Sequence, residues 1–149
     1  MPETVTVYSR RFGDLTVAAA ELIDFPQGLV GLGGCRYVVV RTDADSPFCW
    51  LQSAEDPDLA LPITDPWAFF PDYALELSDA ATADAGLPED GEDVTVWVTV
   101  RAAAERRDFS ANLKAPIVVC GGRGHQVLNE APDVLVRVPL FPAPERAAA

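Results

Sequence analysis

Four aspartates are the residues whose type and spacing could support acid–base chemistry in this chain. Paired carboxylates can act as a general acid and a general base. Asp56 and Asp58, however, flank Pro57, and Asp65 and Asp72 each adjoin a proline. In such positions an aspartate commonly starts a turn by accepting a hydrogen bond from its own backbone. The pattern therefore favours turn formation over catalysis.

The remaining reactive side chains are one histidine and three cysteines. His125 belongs to no recognisable nucleophile motif, although the sequence leaves open whether Cys120 or Ser110 lies near it; a solvent-facing or structural histidine is favoured. Cys35, Cys49 and Cys120 are odd in number, scattered and without a Cys-x-x-Cys pair. Such spacing predicts reduced thiols rather than a disulfide framework or a zinc site. No metal and no other cofactor is expected.

Acidic residues dominate the charge balance. The formal net charge is −12, from 23 Asp and Glu against 11 Lys and Arg. This charge repels phosphate backbones, which argues against direct nucleic-acid binding, and it suits a basic protein partner. No apolar run approaches the roughly 18 residues of a membrane span, so no membrane contact is expected. The N-terminus lacks the basic and apolar pattern of a secretion signal, which predicts a cytoplasmic protein.

Alternation with a period of two recurs along the chain, whereas helical periodicity is scarce. In residues 94–100 the valines share one face and Thr95, Trp97 and Thr99 share the other, which predicts a half-buried strand with Trp97 partly covering its outer face. The other predicted strands are residues 4–8, 15–19, 21–25, 37–42, 48–51, 59–63, 73–77, 116–120 and 134–140. About nine or ten short strands predict an all-β fold, a compact antiparallel β-barrel or sandwich.

Local signals predict one short helix and one tight hairpin. The helix covers residues 79–85, with Ser78 placed to cap its first turn and Gly86 placed to end it. The glycine-rich residues 121–124 lack the Gly-Lys-Ser/Thr ending of a phosphate loop and are predicted to form a hairpin. The length predicts a single domain over residues 1–141. Residues 142–149 alternate Pro and Ala without a periodic apolar face, which predicts a disordered tail.

Aromatic and acidic residues are concentrated in residues 48–77. We call residues 65–73 the central segment. It contains Trp67, Phe69 and Phe70, which would expose apolar area at a cost in free energy unless they pack under the core or meet a partner.

Three separated motifs resemble those of the FliW family of bacterial flagellar assembly factors, and their order and spacing agree over residues 5–138. The motifs are Phe25-Pro-Gln-Gly-Leu-Val-Gly-Leu32, then Leu51-Gln-Ser53 with Leu59-Ala-Leu61, Asp65-Pro66 and Phe70-Pro-Asp-Tyr73, and finally Asn112-Leu-Lys-Ala-Pro-Ile-Val-Val119. Val30 and Leu32 depart from the family pattern, which usually has proline and phenylalanine there. This departure predicts a less rigid first turn.

The resemblance implies a cytoplasmic binding protein and not an enzyme. FliW-like proteins bind flagellin and the basic RNA-binding regulator CsrA, and by antagonising CsrA they relieve repression of flagellin translation without touching RNA. A monomer is expected. The residues expected to contact a partner are Asp65, Phe70, Asp72, Tyr73 and Asn112, with Asp56, Asp58 and Glu76 as secondary candidates.

Structural roles compete with these interface roles. Phe70 and Tyr73 are also suited to the core, and Asn112 to capping a turn. Two other functions also remain open from the residues alone: a small β-barrel enzyme that uses a carboxylate with His125, and a binding module for another basic or disordered peptide.

Overall fold

The computed structural model describes residues 3–26, 28–29, 36–87, 94–105, 108–132 and 134–141, and they form a mainly β structure. The strands are β1 (Thr4–Ser9), β2 (Gly13–Ala18), β3 (Ile23–Asp24), β4 (Arg36–Val40), β5 (Phe48–Ser53), β6 (Ala60–Thr64), β7 (Thr95–Arg101), β8 (Ser110–Ala111), β9 (Ile117–Cys120), β10 (Arg123–Gln126) and β11 (Val138–Pro139). Two short helices, α1 (Pro66–Phe69) and α2 (Asp79–Asp84), and a 3₁₀ turn at Ala19–Glu21 complete these elements. The predicted all-β class is confirmed.

Seven strands close into a barrel. Strands β3 to β7 pair in sequence order, β7 also pairs with β9, β9 pairs with β10, and β10 returns to β3. All of these pairings are antiparallel except the last, in which Arg123 lies opposite Asp24. Strands β8 and β11 extend the sheet from β7, and β1 with β2 forms a separate hairpin. The hairpin is tied to the barrel by the Ser9 hydroxyl, which donates to Gln52 Oε1 over 2.8 Å in a buried contact.

The side chains of β7 pack on both of its faces. Trp97 is 9% exposed and belongs to the cluster inside the barrel with residues such as Tyr37 and Ile63. On the other face, Val98 packs with aromatic residues of the central segment, and Val96 belongs to a cluster with Val118 and with Ala85, which directly follows α2. The valine face is therefore buried as predicted. The prediction that Trp97 covers an outer face is wrong, because closing the barrel turns that face inward.

The helix and the hairpin form where the sequence predicts them. Ser78 Oγ accepts a hydrogen bond from the Ala81 N–H over 3.0 Å, and Gly86 adopts a φ of 65° just after α2. Gly121 and Gly122 have φ values of 60° and 79°, and they join the paired strand ends of β9 and β10. Positive φ at both central residues is the requirement of a type I′ hairpin turn, which glycine meets at low cost. Both local predictions are confirmed.

Three predicted strands differ from the structure, and of residues 21–25 only Ile23–Asp24 form a strand. Residues 73–77 are not part of a sheet, because hydrogen bonds with Asn129 and Glu130 take the place of a strand ladder there. Of residues 134–140 only Val138–Pro139 form a strand, an edge strand in which Pro139 is tolerated. The predicted tail at 142–149, together with Val30, Leu32 and Cys35, lies outside the described residues.

Candidate functional site

The central segment begins with a capped helical turn at the end of β6. Asp65 Oδ1 accepts a hydrogen bond from the Trp67 N–H over 3.0 Å, and Pro66 occupies the first helical position. Proline is favoured there because its missing N–H would be unpaired in any case. The Phe70 N–H closes the turn by donating to the Pro66 carbonyl over 2.8 Å. The turn-forming role predicted for Asp65 is confirmed, and one of its carboxylate oxygens is used inside the chain.

The aromatic residues of this segment divide into packed rings and one exposed ring. Phe69, Phe70 and Tyr73 are half-buried and pack against the outer cluster that contains Val98. Trp67 is 39% exposed, and its indole N–H donates to the Tyr73 carbonyl over 2.9 Å. Its ring meets the Tyr73 ring edge to face, with the centroids 5.5 Å apart. Trp67 is therefore held in one orientation while remaining open to solvent.

A set of buried hydrogen bonds, which we call the buried junction, joins the central segment to the third motif. Asn129 is fully buried, and its amide nitrogen donates to the Tyr73 hydroxyl over 2.9 Å and to the Ala74 carbonyl over 2.8 Å. Its amide oxygen accepts from the N–H groups of Glu76 and Ala131 over 3.0 Å each. All four hydrogen-bonding positions of this amide are thus filled.

The Tyr73 hydroxyl completes the buried junction by donating to the Leu113 carbonyl over 2.7 Å. Burial raises the pKa of the Tyr73 phenol, and the hydrogen bond from Asn129 partly opposes that shift. Two segments that lie forty residues apart in sequence are therefore fixed beside each other. Asn129 was not predicted as a site residue, because a lone asparagine in a loop carries no sequence signal for such a role.

Asn112 shapes the turn of the third motif. Its side-chain oxygen accepts from the N–H groups of Lys114 and Ala115 over 3.1 Å each, and its own N–H donates to the Thr99 carbonyl over 3.0 Å. Its oxygen is therefore used within the chain, as expected for a turn cap.

The exposed acids of the predicted site fall into two groups. Asp72 and Glu76 are exposed in and after the central segment, beyond the end of β6. Asp56 and Asp58 lie before the start of β6, where Asp56 Oδ1 accepts from the Asp58 N–H over 2.9 Å. Asp58 also forms an ion pair with Arg10. Since β6 spans five residues, each rising about 3.3 Å, the two groups are separated by the length of the strand.

A cleft of about 470 Å³ opens beside the central segment. Its walls include Asp65, Trp67 and Ala68 of the capped turn, Arg41 after β4, and the first residues of β7. The Arg41 guanidinium lies 5.7 Å from the centroid of the Trp97 ring, within cation–π range. Sequence reasoning did not single out this cleft, because it forms where β6 leaves β7 and depends on contacts distant in sequence.

The histidine and the described cysteines that were considered for catalysis lie on strands of the barrel. His125 is 9% exposed on β10, opposite Val118 of β9. Cys49 is buried inside the barrel, and burial raises the pKa of its thiol while the Arg41 charge partly opposes the shift. Cys49 and Cys120 are both free thiols. Within the described ranges, no group of three or more His, Cys, Asp or Glu side chains is arranged to hold a metal ion.

None of the helices in the described part of the chain has the length and apolar character needed to cross a membrane.

Comparison with known proteins assigns the chain to a family. The family model described as FliW protein matches residues 6–140. The chain belongs to the FliW family. A FliW relative from Geobacter sulfurreducens, named flagellar assembly factor FliW, is 31% identical over 147 residues, which cover 97% of this chain and 92% of the relative. Another FliW relative of the same name, from Desulfitobacterium hafniense strain Y51, is 36% identical over 139 residues. The match covers 91% of this chain and 90% of the relative.

The fold agrees with the same family. A crystal structure described as the flagellar assembly factor FliW superposes with a TM-score of 0.83 at 27% identity, covering 94% of this chain and 99% of the other. The resemblance inferred from the three motifs is confirmed.

Proposed function

We propose that this FliW-family protein is a flagellar assembly factor that works in the cytoplasm by binding two protein partners, flagellin and CsrA. By occupying CsrA, it relieves the repression of flagellin translation and so couples flagellin synthesis to flagellar assembly. The role is one of binding rather than catalysis. The observation that carries the proposal is the family match over residues 6–140, with relatives named flagellar assembly factor.

The charge of the chain supports a basic partner such as CsrA. The net charge of −12 attracts basic proteins over distances of about a Debye length, roughly 10 Å at 0.1 M salt. Asp72 is exposed and forms no hydrogen bond with the described part of the chain, so its carboxylate is available to a partner. Oδ1 of Asp65 caps α1, and its other carboxylate oxygen accepts no hydrogen bond from the described residues.

The fixed geometry of the central segment supports its role as the binding surface. Interface energy is usually concentrated in a few well-positioned aromatic or charged residues that lose little entropy on binding. Phe70 and Tyr73 are half-buried, so part of each ring remains for contact with a partner, and Asn112 holds the neighbouring turn. Asp56, Asp58 and Glu76 then contribute to attraction from outside the central contact.

Charge reversal at Asp72 tests the proposal. Calorimetric titration of the purified protein with CsrA and, separately, with monomeric flagellin should first show binding of both. Asp72→Lys should weaken CsrA binding about tenfold or more, because it replaces an attractive contact with a repulsive one. The matched control is Asp14→Lys, which makes the same charge change on the exposed face of the β1–β2 hairpin.

The control should weaken CsrA binding no more than about threefold, through long-range charge alone. If neither CsrA nor flagellin binds the parent protein, the proposed function is wrong. Capture of a different basic peptide under the same conditions would instead favour a general binding module.

A further inference from the structure

Among the described residues, the edge of β7 beside the central segment has no strand partner at one end. β7 contains seven residues, yet β6 pairs with only two of them, Val98 and Thr99. β6 ends at Thr64, and the chain then turns into the capped turn of α1. On the opposite side of β7, β9 pairs with Thr95 through Trp97. The first half of β7 therefore has a sheet neighbour on one side only among the described residues.

The direction of the backbone groups along β7 follows from one hydrogen bond. The Thr99 carbonyl accepts from the Asn112 N–H over 3.0 Å, so Thr99 faces the β8 and β9 side. The backbone N–H and C=O groups of successive residues point to alternate edges of a strand. Those of Trp97 therefore point to the β8 and β9 side, whereas those of Val98 and Val96 point to the β6 side. Thr64 lies opposite Val98, but β6 supplies no residue opposite Val96.

The cleft lies along this unpaired stretch. Its lining includes Val94, Val96 and Trp97 of this stretch together with Trp67 and Ala68 of the central segment. A volume of about 470 Å³ falls within the range of sites that hold small ligands or a few side chains. A strand edge that no described strand pairs with, beside such a cleft, is the arrangement that binds extended peptides by adding a strand, with main-chain hydrogen bonds along the edge and side chains in adjacent pockets.

Charge around the cleft selects the kind of peptide. Asp65 lines the cleft, and the exposed Asp43 and Asp45 precede its lining residue Ser46 on the turn between β4 and β5. Arg41 is the one basic residue among the described lining residues, and its guanidinium lies over the Trp97 ring. The described lining holds one acid and one cation, so a positively charged occupant is favoured by the exposed acids nearby in sequence and by the net charge of −12.

Resting on the proposed function, we infer that the partner binds at an edge-pairing site. An extended, basic segment of the partner lies along Val94–Val96, on the side of β7 where β6 has already ended. Its backbone pairs with the free edge of Val96. An apolar side chain from the segment enters the cleft against Trp67, and its lysines or arginines meet the acids around the opening.

A pair of synthetic peptides separates edge pairing from simple charge attraction. The probe is a fluorescent, acetylated Lys-Val-Lys-Val-Lys-Val amide, which alternates basic and apolar side chains as a strand would. Its matched control has the same sequence and charge but is N-methylated at every residue, so it has no backbone N–H to donate. Fluorescence anisotropy should show binding of the probe at about 1 mM or below and a loss of about tenfold or more for the control. Equal binding of both, or none by the probe, overturns the inference.

Filling the cleft tests where the peptide binds. Ala68 lines the cleft and is exposed on α1, whereas Ala83 is exposed on α2. Ala68→Tyr should weaken probe binding about tenfold, and the control Ala83→Tyr should leave it unchanged. Circular dichroism should verify that both variants are folded. Independently of these variants, the amide hydrogen of Val96 in the parent chain should exchange more slowly when the probe is bound, and an unchanged rate argues against edge pairing.

Intact partners distinguish this inference from the proposed function. If CsrA and flagellin bind the folded Ala68→Tyr variant as tightly as they bind the parent, the edge-pairing site is wrong and the proposed function stands. If they bind the parent but both lose affinity for the variant, the inference is supported. If they fail to bind even the parent, the proposed function is wrong, and with it the claim that this edge serves those partners.

Discussion

The buried junction and the cleft both include residues of the central segment but have opposite character. In the junction the Asn129 amide makes four hydrogen bonds and is fully buried. At the cleft, the first half of β7 has no strand neighbour on its β6 side in the part of the chain that the structure describes, and Trp67 is 39% exposed. Trp67 connects the two regions, because its indole N–H bonds to the Tyr73 carbonyl.

This difference separates stability from binding. A buried amide with all its partners present stabilises one arrangement of the chain, and removing it leaves several groups without partners. An open edge with a fixed aromatic adds little to folding but is ready for contact. Substitutions in the junction should therefore change the free energy of unfolding most, and substitutions at the cleft should change affinity most.

The largest expected effect is on stability, from Asn129→Ala. This change leaves the Tyr73 hydroxyl, the Ala74 carbonyl and the N–H groups of Glu76 and Ala131 without their present partner. We expect a loss of about 3 kcal/mol or more in the free energy of unfolding, measured with urea.

Asn112→Ala is the matched control for Asn129→Ala. It removes the same side chain from a half-buried turn, where two N–H groups lose a cap. It should cost only about 1 kcal/mol. Equal losses in the free energy of unfolding for the two variants would mean that Asn129 stabilises the fold no more than the turn cap of Asn112 does.

The next effect is on affinity, from Trp67→Ala. Loss of the exposed indole should raise the Kd for CsrA about thirtyfold, mainly through faster dissociation, because an interface anchor is removed. The free energy of unfolding should fall by about 1 kcal/mol, since one hydrogen bond and one ring contact are lost. Tyr8→Ala is the control, since Tyr8 is 59% exposed on the β1–β2 hairpin, and its affinity should match the parent.

A smaller effect is expected from Tyr73→Phe, which keeps the ring and removes the hydroxyl from the buried junction. Near pH 7 the free energy of unfolding should fall by about 1–2 kcal/mol, because the Leu113 carbonyl and an Asn129 N–H lose a partner. Tyr8→Phe, at an exposed tyrosine, should have no such effect.

The pH dependence of stability provides a second measurement on Tyr73→Phe. Burial raises the pKa of Tyr73 in the folded state. The unfolded tyrosine, with a pKa of about 10, loses its proton first as the pH rises. Stability from this group is thus complete below about pH 10 and is lost as the pH rises through the folded pKa. Urea unfolding across this range should show a shallower decline for Tyr73→Phe than for the parent, and parallel curves would contradict the burial of the phenol.

The smallest effects should come from the distant acids. Asp56→Asn combined with Asp58→Asn should slow association with CsrA about twofold at low salt and reduce its dependence on salt. The dissociation rate should stay the same, because the length of β6 separates these residues from the cleft. A faster dissociation in stopped-flow measurements would place them within the contact surface instead.

The caps and turns that depend on neighbouring residues were predictable from the sequence. The contacts between residues distant in sequence, including those that close the barrel, were not. The Asp-Pro start of the central segment, the Ser78 cap and the two-glycine hairpin depend on neighbouring residues, and all three are observed. The orientation of Trp97 depends on the barrel closing around it. Residues 73–77 have the alternation of a strand, but Asn129, more than fifty residues later, supplies their hydrogen bonds.

The parallel pairing between β3 and β10 closes the barrel, and it bears on the order in which the strand pairings of the barrel form and break. Its register consists of one residue pair, Asp24 with Arg123, assisted by the Asp24 N–H, which donates to the Gly122 carbonyl over 2.9 Å. Partners about a hundred residues apart lose much chain entropy when they meet, so this pairing should form late during folding. It is also the shortest pairing in the described barrel. Transient local unfolding should begin there, leaving the consecutive strands β4 to β6 as the most persistent unit.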